Sequence, residues 1–360
     1  MTTDGELDPE KLGLFSFVVF SKLEGAVTAG MIHLGDRLGL YRALADGRGP
    51  LSTAELAERA GLHERWVREW AYNQGAANIV TIDDEEGLSL SPEAAAVLAS
   101  PDHPAFGMGM FHRLPQTMAA LEEMPQAFRT GRGFDYDSHG PEGAVGIERS
   151  FEPWNRANLL PTVLPALDGV SAKLERGSLA LDVGCGAGGA AMLLASAFPA
   201  SQVRGYDISH HALARARERQ AEQRIANVEF LDPRSTPLPA DGSAGLVTTF
   251  DCLHDMTDPV GMVVAIRSAL ADDGTWLLVD IKAHDTYADN ARRNPMASLM
   301  YGISVLSCMS SALSEEGGAG LGTLGLSAMR AEQMARDAGF TRFRKLDIDH
   351  PVNAFYEIRP

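Results

Sequence analysis

The sequence contains few cysteines, and their arrangement excludes two common kinds of site. Only Cys185, Cys252 and Cys308 occur among 360 residues. An odd number of widely spaced cysteines is typical of reduced thiols in a cytosolic setting, not of a disulfide scaffold. Their spacing also matches no zinc-ligand motif. The sequence therefore predicts a cytoplasmic protein without disulfides and without a metal site.

Basic residues are also scarce relative to acidic ones. The chain has 31 Lys and Arg against 48 Asp and Glu, a formal net charge of -17. Binding to nucleic acid or to anionic lipid depends mainly on Lys and Arg contacts with phosphate. The acidic start, Met1 to Glu10, lacks the basic region of a signal peptide, and no apolar run reaches the ~20 residues of a membrane span. We expect no nucleic acid partner and no membrane association.

The length and the apolar content predict more than one folded domain. A chain of 360 residues with 45% hydrophobic residues exceeds what one core usually organises. We predict a winged-helix and dimerisation domain over 1–104, a helical linker and substrate cover over 105–177, and a catalytic α/β domain over 178–360.

The winged-helix prediction depends on two helices and a hairpin. Ser52 and Glu55 form a capping box that begins one helix, and Gly61 ends it. A second helix follows over 63–74, and two short strands within 79–90 flank a polar turn. Together these elements have the order of a winged helix.

The charges of this unit do not favour DNA binding. Arg65 and Arg68 of the second helix are matched by Glu64 and Glu69, and four consecutive acids at 83–86 form the tip of the wing. A wing that contacts phosphate needs Lys or Arg there. A structural role is the better interpretation, and a DNA-binding regulator stays open as the alternative.

Three aromatic residues near the start favour self-association. Phe15, Phe17 and Phe20 lie in an apolar element that a lone chain would expose to water. Such a surface suits a partner subunit. We therefore expect a homodimer formed through the N-terminal domain.

From Ser178 onward, short apolar strands alternate with helical patterns, which predicts a parallel sheet covered on both faces. The first strand, Leu179–Val183, runs into glycines at 184, 186, 188 and 189. Such a loop lets backbone N–H groups approach a ligand at the N-terminus of the next helix. Its spacing also satisfies G-x-G-x-x-G, so these glycines alone leave NAD open as the ligand.

Three acids distinguish NAD from a cofactor with an amino-acid moiety better than the glycines do. Asp182, Asp207 and Asp232 lie at the ends of three successive predicted strands. Asp182 suits the ammonium of a methionine moiety, Asp207 can accept the ribose hydroxyls, and Asp232 can accept from the adenine amine. Each alone could equally be a helix cap or a turn residue. Together they converge on the crevice where doubly wound sheets bind ligands.

Three segments, 181–189, 206–209 and 230–233, resemble the first three motifs of class I SAM-dependent methyltransferases. The last two predicted strands, 341–346 and 354–358, are similar to the antiparallel addition to the sheet in that family. The resemblance implies a Rossmann-like α/β fold and S-adenosylmethionine (SAM) as cofactor, with S-adenosylhomocysteine as product. Besides the three acids, it implies cofactor contacts from Gly184, Cys185, Gly186, Gly188, Ile208, Pro233 and Phe250.

His254 is the catalytic candidate. It follows the fourth strand, 245–250, and precedes Asp258 and Pro259, which suit the cap and first turn of a helix. The run 253–258 is similar to the His-Asp-Trp-x-Asp signature of small-molecule O-methyltransferases, with Met256 in place of the tryptophan. The resemblance implies that His254 is the general base for a hydroxyl acceptor, and a pocket-lining histidine is the alternative. Asp255 could orient the imidazole, but a solvent-facing or capping role suits it equally well.

Two other regions are predicted to surround the ligands. Trp154 lies where related enzymes place an aromatic helix over the cofactor, although core packing explains most tryptophans. An insertion after the fifth strand is predicted to line the acceptor pocket and to end in a mobile glycine-rich segment, 315–325. Its candidate lining residues are Tyr287, Met296, Met300, Tyr301, Cys308 and Met309.

These features predict a methyltransferase that acts on the hydroxyl of a small molecule, with no metal ion. A phenol would benefit from a base, whereas a carboxylate acceptor would already be ionised. Two alternatives remain: a C- or N-methyltransferase, and a non-catalytic SAM-sensing regulator with a winged helix.

Overall fold

The computed structural model describes residues 7–47 and 49–360, so the first six residues of the acidic start lie outside the described residues. The chain divides into two compact units, Met1–Leu114 and Pro115–Pro360. The N-terminal unit is mostly helical. Its elements are α1 (Pro9–Arg37), α2 (Leu40–Ala45), α3 (Thr53–Ala60), α4 (Glu64–Ala76), β1 (Thr81–Ile82), β2 (Leu88–Ser89), α5 (Pro92–Leu98) and α6 (Met108–His112).

Local sequence signals determine where the elements of the winged helix begin and end. The predicted capping box is present: Ser52 accepts from the Glu55 N–H, and Glu55 accepts from the Ser52 N–H. Gly61 ends α3 in the left-handed conformation. The hairpin is antiparallel as predicted, but β1 and β2 have only two residues each.

The helix α1 has two different halves. Its C-terminal half packs within the unit, where the Trp70 Nε1 donates to the Met31 carbonyl at 2.9 Å. The first half is solvent-exposed, with Phe15, Phe17 and Phe20 each about two-thirds or more accessible. The sequence therefore identified an exposed apolar element correctly.

The expectation that no segment is long and apolar enough for a membrane span is wrong for α1. This helix of 29 residues contains a window of mean hydropathy 1.4, of which only 6% is buried. Lys22 and Glu24 do not interrupt the helix, so the apolar residues before and after them belong to one continuous helix. One such helix near the N-terminus is weak evidence for a span, because signal sequences and core helices share these properties.

The C-terminal unit has a central seven-stranded sheet. Its strands are β3 (Leu179–Val183), β4 (Gln202–Tyr206), β5 (Val228–Leu231), β6 (Ala244–Phe250), β7 (Leu270–Ile281), β8 (Arg342–Lys345) and β9 (Asn353–Arg359). Its helices are α7 (Leu114–Ala119), α8 (Met124–Thr130), α9 (Gly140–Asn158), α10 (Val170–Glu175), α11 (Gly189–Ala197), α12 (His210–Gln223), α13 (Pro259–Ala269), α14 (Tyr287–Arg293), α15 (Ala297–Ile303), α16 (Met309–Ala312) and α17 (Ala328–Asp337).

The strand order is β5-β4-β3-β6-β7-β9-β8. Strands β3 to β7 are parallel, and β9 is antiparallel to both of its neighbours. The predicted Rossmann-like α/β fold is therefore confirmed. Of the last two strands only β9 opposes the parallel set, because β8 pairs antiparallel with β9 and so follows the direction of β7. The order reverses at β3, which is the switch point where such sheets bind ligands.

Both faces of this sheet are covered by apolar cores. Alternate residues of β3 face opposite sides: Ala180 belongs to one cluster, whereas Leu181 and Val183 belong to the other. The bulky side chain of Trp276 on β7 is buried in the second cluster. This packing holds the carboxyl ends of the parallel strands in place, and the candidate site lies there.

Candidate active site at the carboxyl edge of the sheet

The glycine-rich loop after β3 makes a tight turn that only glycine tolerates at several positions. Gly184, Gly186 and Gly188 have φ angles of +71°, +54° and +78°. A Cβ at Gly188 would lie 2.4 Å from the Phe230 ring, and one at Gly184 would lie 2.5 Å from the Cys252 Cβ. The N–H groups of Gly184 and Cys185 both donate to the Tyr206 carbonyl, at 2.8 and 3.0 Å. The loop is thereby held against β4.

Asp182 lies beneath this loop and is 1% exposed. It accepts a hydrogen bond from the Thr248 hydroxyl at 2.7 Å. Burial raises the pKa of Asp182 to about 6, although the hydrogen bond from Thr248 favours the carboxylate. A nearby cation would stabilise a buried carboxylate of this kind. The predicted contact with an ammonium stays a prediction.

Asp207 follows β4 and bridges the glycine-rich loop and the start of α12. Its Oδ2 accepts from the Gly186 N–H and its Oδ1 from the Ser209 N–H, both at 2.8 Å. Burial raises the pKa of Asp207, whereas these backbone donors lower it. The two bonds fix the orientation of the carboxylate at the mouth of β4.

Asp232 follows β5, as predicted, but its carboxylate already has a cationic partner. The Arg234 side chain donates to its two oxygens at 3.0 and 2.7 Å, and the same side chain donates to the Ile208 carbonyl at 2.7 Å. The hydrogen bonds from Arg234 hold the pKa of Asp232 below its ordinary value. Arg234 therefore links the two segments, 206–209 and 230–233, and the adenine contact remains a prediction.

Sequence reasoning missed a buried arginine that supports the loop. Arg219 on α12 donates to the Ala187 carbonyl at 2.9 Å and pairs with Glu152 on α9, while its Nε lies 3.4 Å from Glu148. Its side chain is 7% exposed. These partners lie far from Arg219 in the sequence, so no local pattern could have indicated the network.

Two of the predicted contacts lie within the aromatic packing near β9. The Trp154 ring is 4.7 Å from the His350 ring and 5.4 Å from the Phe355 ring. Phe250 also packs against the same core cluster. Burial lowers the pKa of His350 to about 4, so this imidazole is neutral at physiological pH. The structure shows packing for both predicted residues and leaves their cofactor contacts as predictions.

His254 lies in a 3-10 turn, Leu253–Asp255, that begins three residues after the end of β6, and it is 2% exposed. Its Nδ1 lies 2.7 Å from the Oδ1 of Asp280, which is near the end of β7 and equally buried. Burial, the largest single cause, opposes the imidazolium, but Asp280 and Cys308 together outweigh it and hold the pKa of His254 well above its ordinary value. Asp280, not the adjacent Asp255, is thus the partner of Nδ1.

Asp251, whose side chain is partly buried, adds a second carboxylate beside this pair. It has a φ of +49°, which is uncommon for a residue with a side chain. Asn353 donates to its Oδ2, whereas its Oδ1 has no hydrogen-bond partner among the described residues. Burial, and then the charge of Asp280, raise the pKa of Asp251 to about 7. Strained, under-satisfied groups of this kind are concentrated at functional sites.

The predicted pocket insertion brings one of its residues to His254. Cys308 ends a π-helical segment, Ser304–Cys308, and its thiol hydrogen-bonds the His254 side chain. Tyr287 and Tyr301 instead line a cavity of about 420 Å³ together with Arg330. The glycine-rich stretch was predicted to be mobile, and that prediction remains untested.

Cys252 connects the cofactor side of the sheet edge with the His254 side. Its thiol donates to the Val183 carbonyl at 3.1 Å. Burial raises the pKa of this thiol, and the charges that add to the effect include Asp280 and Asp182. Cys252 therefore joins the end of β3 to the segment that leads into the His254 turn.

Comparisons with known proteins agree with this geometry. Residues 174–316 match a family model described as a methyltransferase domain, and residues 26–100 match one described as an Rv2258c-like winged HTH domain. No curated protein sequence matches the chain significantly.

Solved structures of similar fold cover nearly the whole chain. Human N-acetylserotonin methyltransferase in complex with SAM is 16% identical, with a TM-score of 0.68 over 100% of this chain and 99% of that one. Mitomycin 7-O-methyltransferase is 20% identical, with a TM-score of 0.67 over 98% and 99%. An O-methyltransferase from neocarzinostatin biosynthesis, in complex with SAM and 2-hydroxy-5-methyl naphthoic acid, is 17% identical, with a TM-score of 0.61 over 92% and 95%. At these identities the likeness establishes the fold.

Proposed function

The chain carries a methyltransferase domain of the class I, SAM-dependent fold behind a winged helix-turn-helix domain, and we propose that it methylates a hydroxyl of a small molecule. The observation that carries the proposal is the buried His254–Asp280 pair at the mouth of β6 and β7. It lies on the same sheet edge as the glycine-rich loop. A general base is needed there only for an acceptor that is not already ionised.

The residues around the loop fit SAM. The loop turns through three left-handed glycines, and a Cβ at Gly188 would strike Phe230, so the backbone can approach a ligand closely. Asp182 is a buried carboxylate suited to an ammonium, and Asp207, held by two backbone N–H groups, would accept the ribose hydroxyls. SAM supplies an electrophilic methyl group on a sulfonium when bound. Asp232, Ile208, Pro233, Phe250 and Trp154 would complete the cradle.

His254 is arranged to receive the proton of the acceptor. When Asp280 accepts the Nδ1–H, the lone pair of a neutral imidazole lies on Nε2. The raised pKa of His254 means that the free protein favours the imidazolium. A cationic cofactor bound nearby would oppose that charge and lower the pKa, which would release the lone pair for catalysis.

Methyl transfer requires little beyond an in-line approach of the two reactants. Most of the acceleration would therefore come from holding them together away from water. The burial of His254 and Asp280 is consistent with a site that excludes solvent. The chemical contribution of the chain would then be the transfer of the hydroxyl proton to His254.

Calorimetry and turnover test this proposal together. SAM and S-adenosylhomocysteine should bind the protein, whereas NAD should not. With radiolabelled SAM and a panel of phenols, His254→Ala should lose about 10²- to 10⁴-fold in kcat while retaining its SAM affinity. Full turnover by the variant would exclude the base and favour a carbon or nitrogen acceptor. Tight, salt-sensitive duplex binding without methyl transfer would instead favour the regulator.

We further propose that the exposed half of α1 pairs with a second copy of this chain in the cytoplasm. The stretch 12–21 contains no charged residue, and its aromatic side chains are exposed. The net charge of -17 opposes an anionic lipid surface, whereas a second copy presents the same apolar surface. Phe17→Glu should produce a monomer in sedimentation velocity. Trp66→Glu, at an equally exposed position on α4, should not; a monomeric parent protein would exclude the dimer.

A further inference from the structure

Three side chains with different donor atoms meet beside β6. A ring nitrogen of His254, a carboxylate oxygen of Asp255 and the Cys308 Sγ all lie within 4.8 Å of one another. His254 is buried and the other two are partly buried. Nitrogen, oxygen and sulfur donors at such separations are typical of the ligand set of a borderline-soft divalent ion.

Two local structures create this arrangement. The 3-10 turn Leu253–Asp255 presents His254 and Asp255, and the π-helical segment Ser304–Cys308 presents Cys308. The helix α16, which continues from the π segment, packs against the turn. Single π-helical segments within helices frequently mark functional sites because they redirect side chains.

The surrounding charges favour a cation. Asp280 Oδ2 and Asp251 Oδ1 are buried without a hydrogen-bond partner in residues 7–47 and 49–360. Buried carboxylates are costly unless they are paired or bind metals. A divalent ion at His254 would offset this excess of negative charge.

We propose that His254 Nε2, Asp255 and Cys308 bind one divalent ion of the zinc type. Three protein ligands leave one tetrahedral position for water or another small ligand. Asp280 would serve as the outer partner, because metal-binding histidines usually donate their other N–H to a carboxylate. No electron transfer is involved: the ion displaces the thiol proton of Cys308 and any proton on Nε2, and both protons pass to solvent.

A second group of possible ligands, Asp137, His210 and His211, provides a useful contrast. The His210 side chain is 70% exposed. The Asp137 carboxylate already accepts from the Ser209 hydroxyl and from the backbone and ring of His210. These partners would compete with a metal ion, so His211 serves as the control position.

Metal binding has one consequence that depends on the proposed function. The ion would occupy the same Nε2 lone pair that the general base needs, so zinc should inhibit methyl transfer to a hydroxyl. The binding itself does not depend on the proposed function. Affinity can therefore be measured without SAM and without an acceptor.

The test uses untagged, full-length protein with Zn²⁺ in competition with a chromophoric chelator. We expect one ion per chain, with at least about 100-fold weaker binding in Cys308→Ser and about 10- to 100-fold weaker binding in Asp280→Asn. Co²⁺ should give a thiolate-to-cobalt charge-transfer band that Cys308→Ser lacks. Cys252→Ser, with its own thiol elsewhere on the sheet edge, should keep both the band and the affinity.

Three results would overturn the site: no binding of Zn²⁺ at micromolar concentration, unchanged affinity in Cys308→Ser, or loss of affinity in His211→Asn. Circular dichroism spectra matching the parent protein would show that the variants are folded. Turnover that is insensitive to Zn²⁺, in a protein shown to bind it, would refute only the shared use of Nε2. Failure of the proposed function would appear instead as absent SAM binding or an active His254→Ala.

Discussion

The carboxylates on the two sides of the sheet edge differ in their hydrogen-bond partners. On the side of β3, β4 and β5, Asp182, Asp207 and Asp232 accept hydrogen bonds from Thr248, from backbone N–H groups and from Arg234. On the side of β6 and β7, Asp251 and Asp280 each retain a buried oxygen without a hydrogen-bond partner in the part of the chain that the structure describes.

This difference indicates that the two sides are organised for ligand binding in different ways. The β3–β5 side is organised before anything binds, because the chain itself satisfies its acids and fixes their orientation. The β6–β7 side keeps unpaired negative charge around one imidazole, which raises the pKa of His254, while burial and then the charge of Asp280 raise the pKa of Asp251. Such a site is suited to gain or lose a cation, whether a proton or a metal ion. The following variants test that distinction.

The largest effect is expected on the β6–β7 side, from Asp280→Asn. This change removes the carboxylate that raises the pKa of His254 and orients its ring. The variant should lose much of the roughly 10²- to 10⁴-fold contribution of a general base. The acid limb of the pH–kcat/KM profile should also move to lower pH, because an imidazole without Asp280 gives up its proton more readily.

That pH shift separates a positioning role from a merely structural one. A lower rate with an unmoved acid limb would contradict the role of Asp280. Arg234→Lys, on the other side of the edge, should leave the limb in place.

The next effect concerns Asp207→Ala on the β3–β5 side. The variant leaves the N–H groups of Gly186 and Ser209 without their acceptor. It also removes the proposed acceptor of the ribose hydroxyls of SAM. Hydrogen bonds to a charged group contribute about 1.5–3 kcal/mol, so SAM affinity in calorimetry should fall about 10- to 150-fold. Asp232→Ala should cost less than about 10-fold, because Arg234 already neutralises that carboxylate. Equal losses would remove the proposed difference between the two acids.

A smaller effect tests how tightly the cofactor loop is packed. Gly188 and Gly131 have similar positive φ angles, but a Cβ at Gly188 would strike Phe230, whereas one at Gly131 meets no atom of the described residues within 4 Å. Gly188→Ala should therefore lower the free energy of unfolding by about 1–3 kcal/mol more than Gly131→Ala. Urea denaturation measures both, and equal costs would show that the loop can move away from Phe230.

The smallest effect is expected from Asp251→Asn, and it should be stabilising. The pKa of Asp251 is about 7 in the folded protein, above the ~3.9 of an unfolded aspartate. Folding therefore penalises the charged form of Asp251. The full penalty applies above pH 7, and no penalty applies far below pH 4.

Asparagine removes that penalty and tolerates the positive φ. The variant should gain about 1–2 kcal/mol over the parent at pH 8, with the gain shrinking as the pH approaches 4. The discount from the full pKa shift reflects the partial exposure of the side chain. A gain that does not change with pH would contradict a charge effect at this position.

The sequence predicted the cofactor side of the edge far better than the acceptor side. Asp182, Asp207 and Asp232 could be placed because each follows or ends a strand with an unambiguous apolar pattern. Asp280 has the same placement at the end of β7 and was overlooked because no motif includes it. Its signal was available, since it is another acid at the carboxyl end of a parallel strand.

Other features had no local signal at all. Cys308 reaches His254 only because a π-helical segment turns it there, and Arg219 reaches Ala187 only across the packing of α9 and α12. The continuity of α1 was missed for a simpler reason: scattered polar residues interrupt its apolar run without interrupting the helix.

The sequence by itself determined where the strands and glycine turns lie, and hence the Rossmann-like fold, because short continuous apolar runs and backbone-restricted residues act locally. Only the tertiary structure decided which groups face one another at the carboxyl edge. The pairing of His254 with Asp280, its contact with Cys308 and the neutralisation of Asp232 by Arg234 depend on strand order, side-chain direction and burial. Charges removed from water depend on every neighbour in space, and no linear pattern records those neighbours.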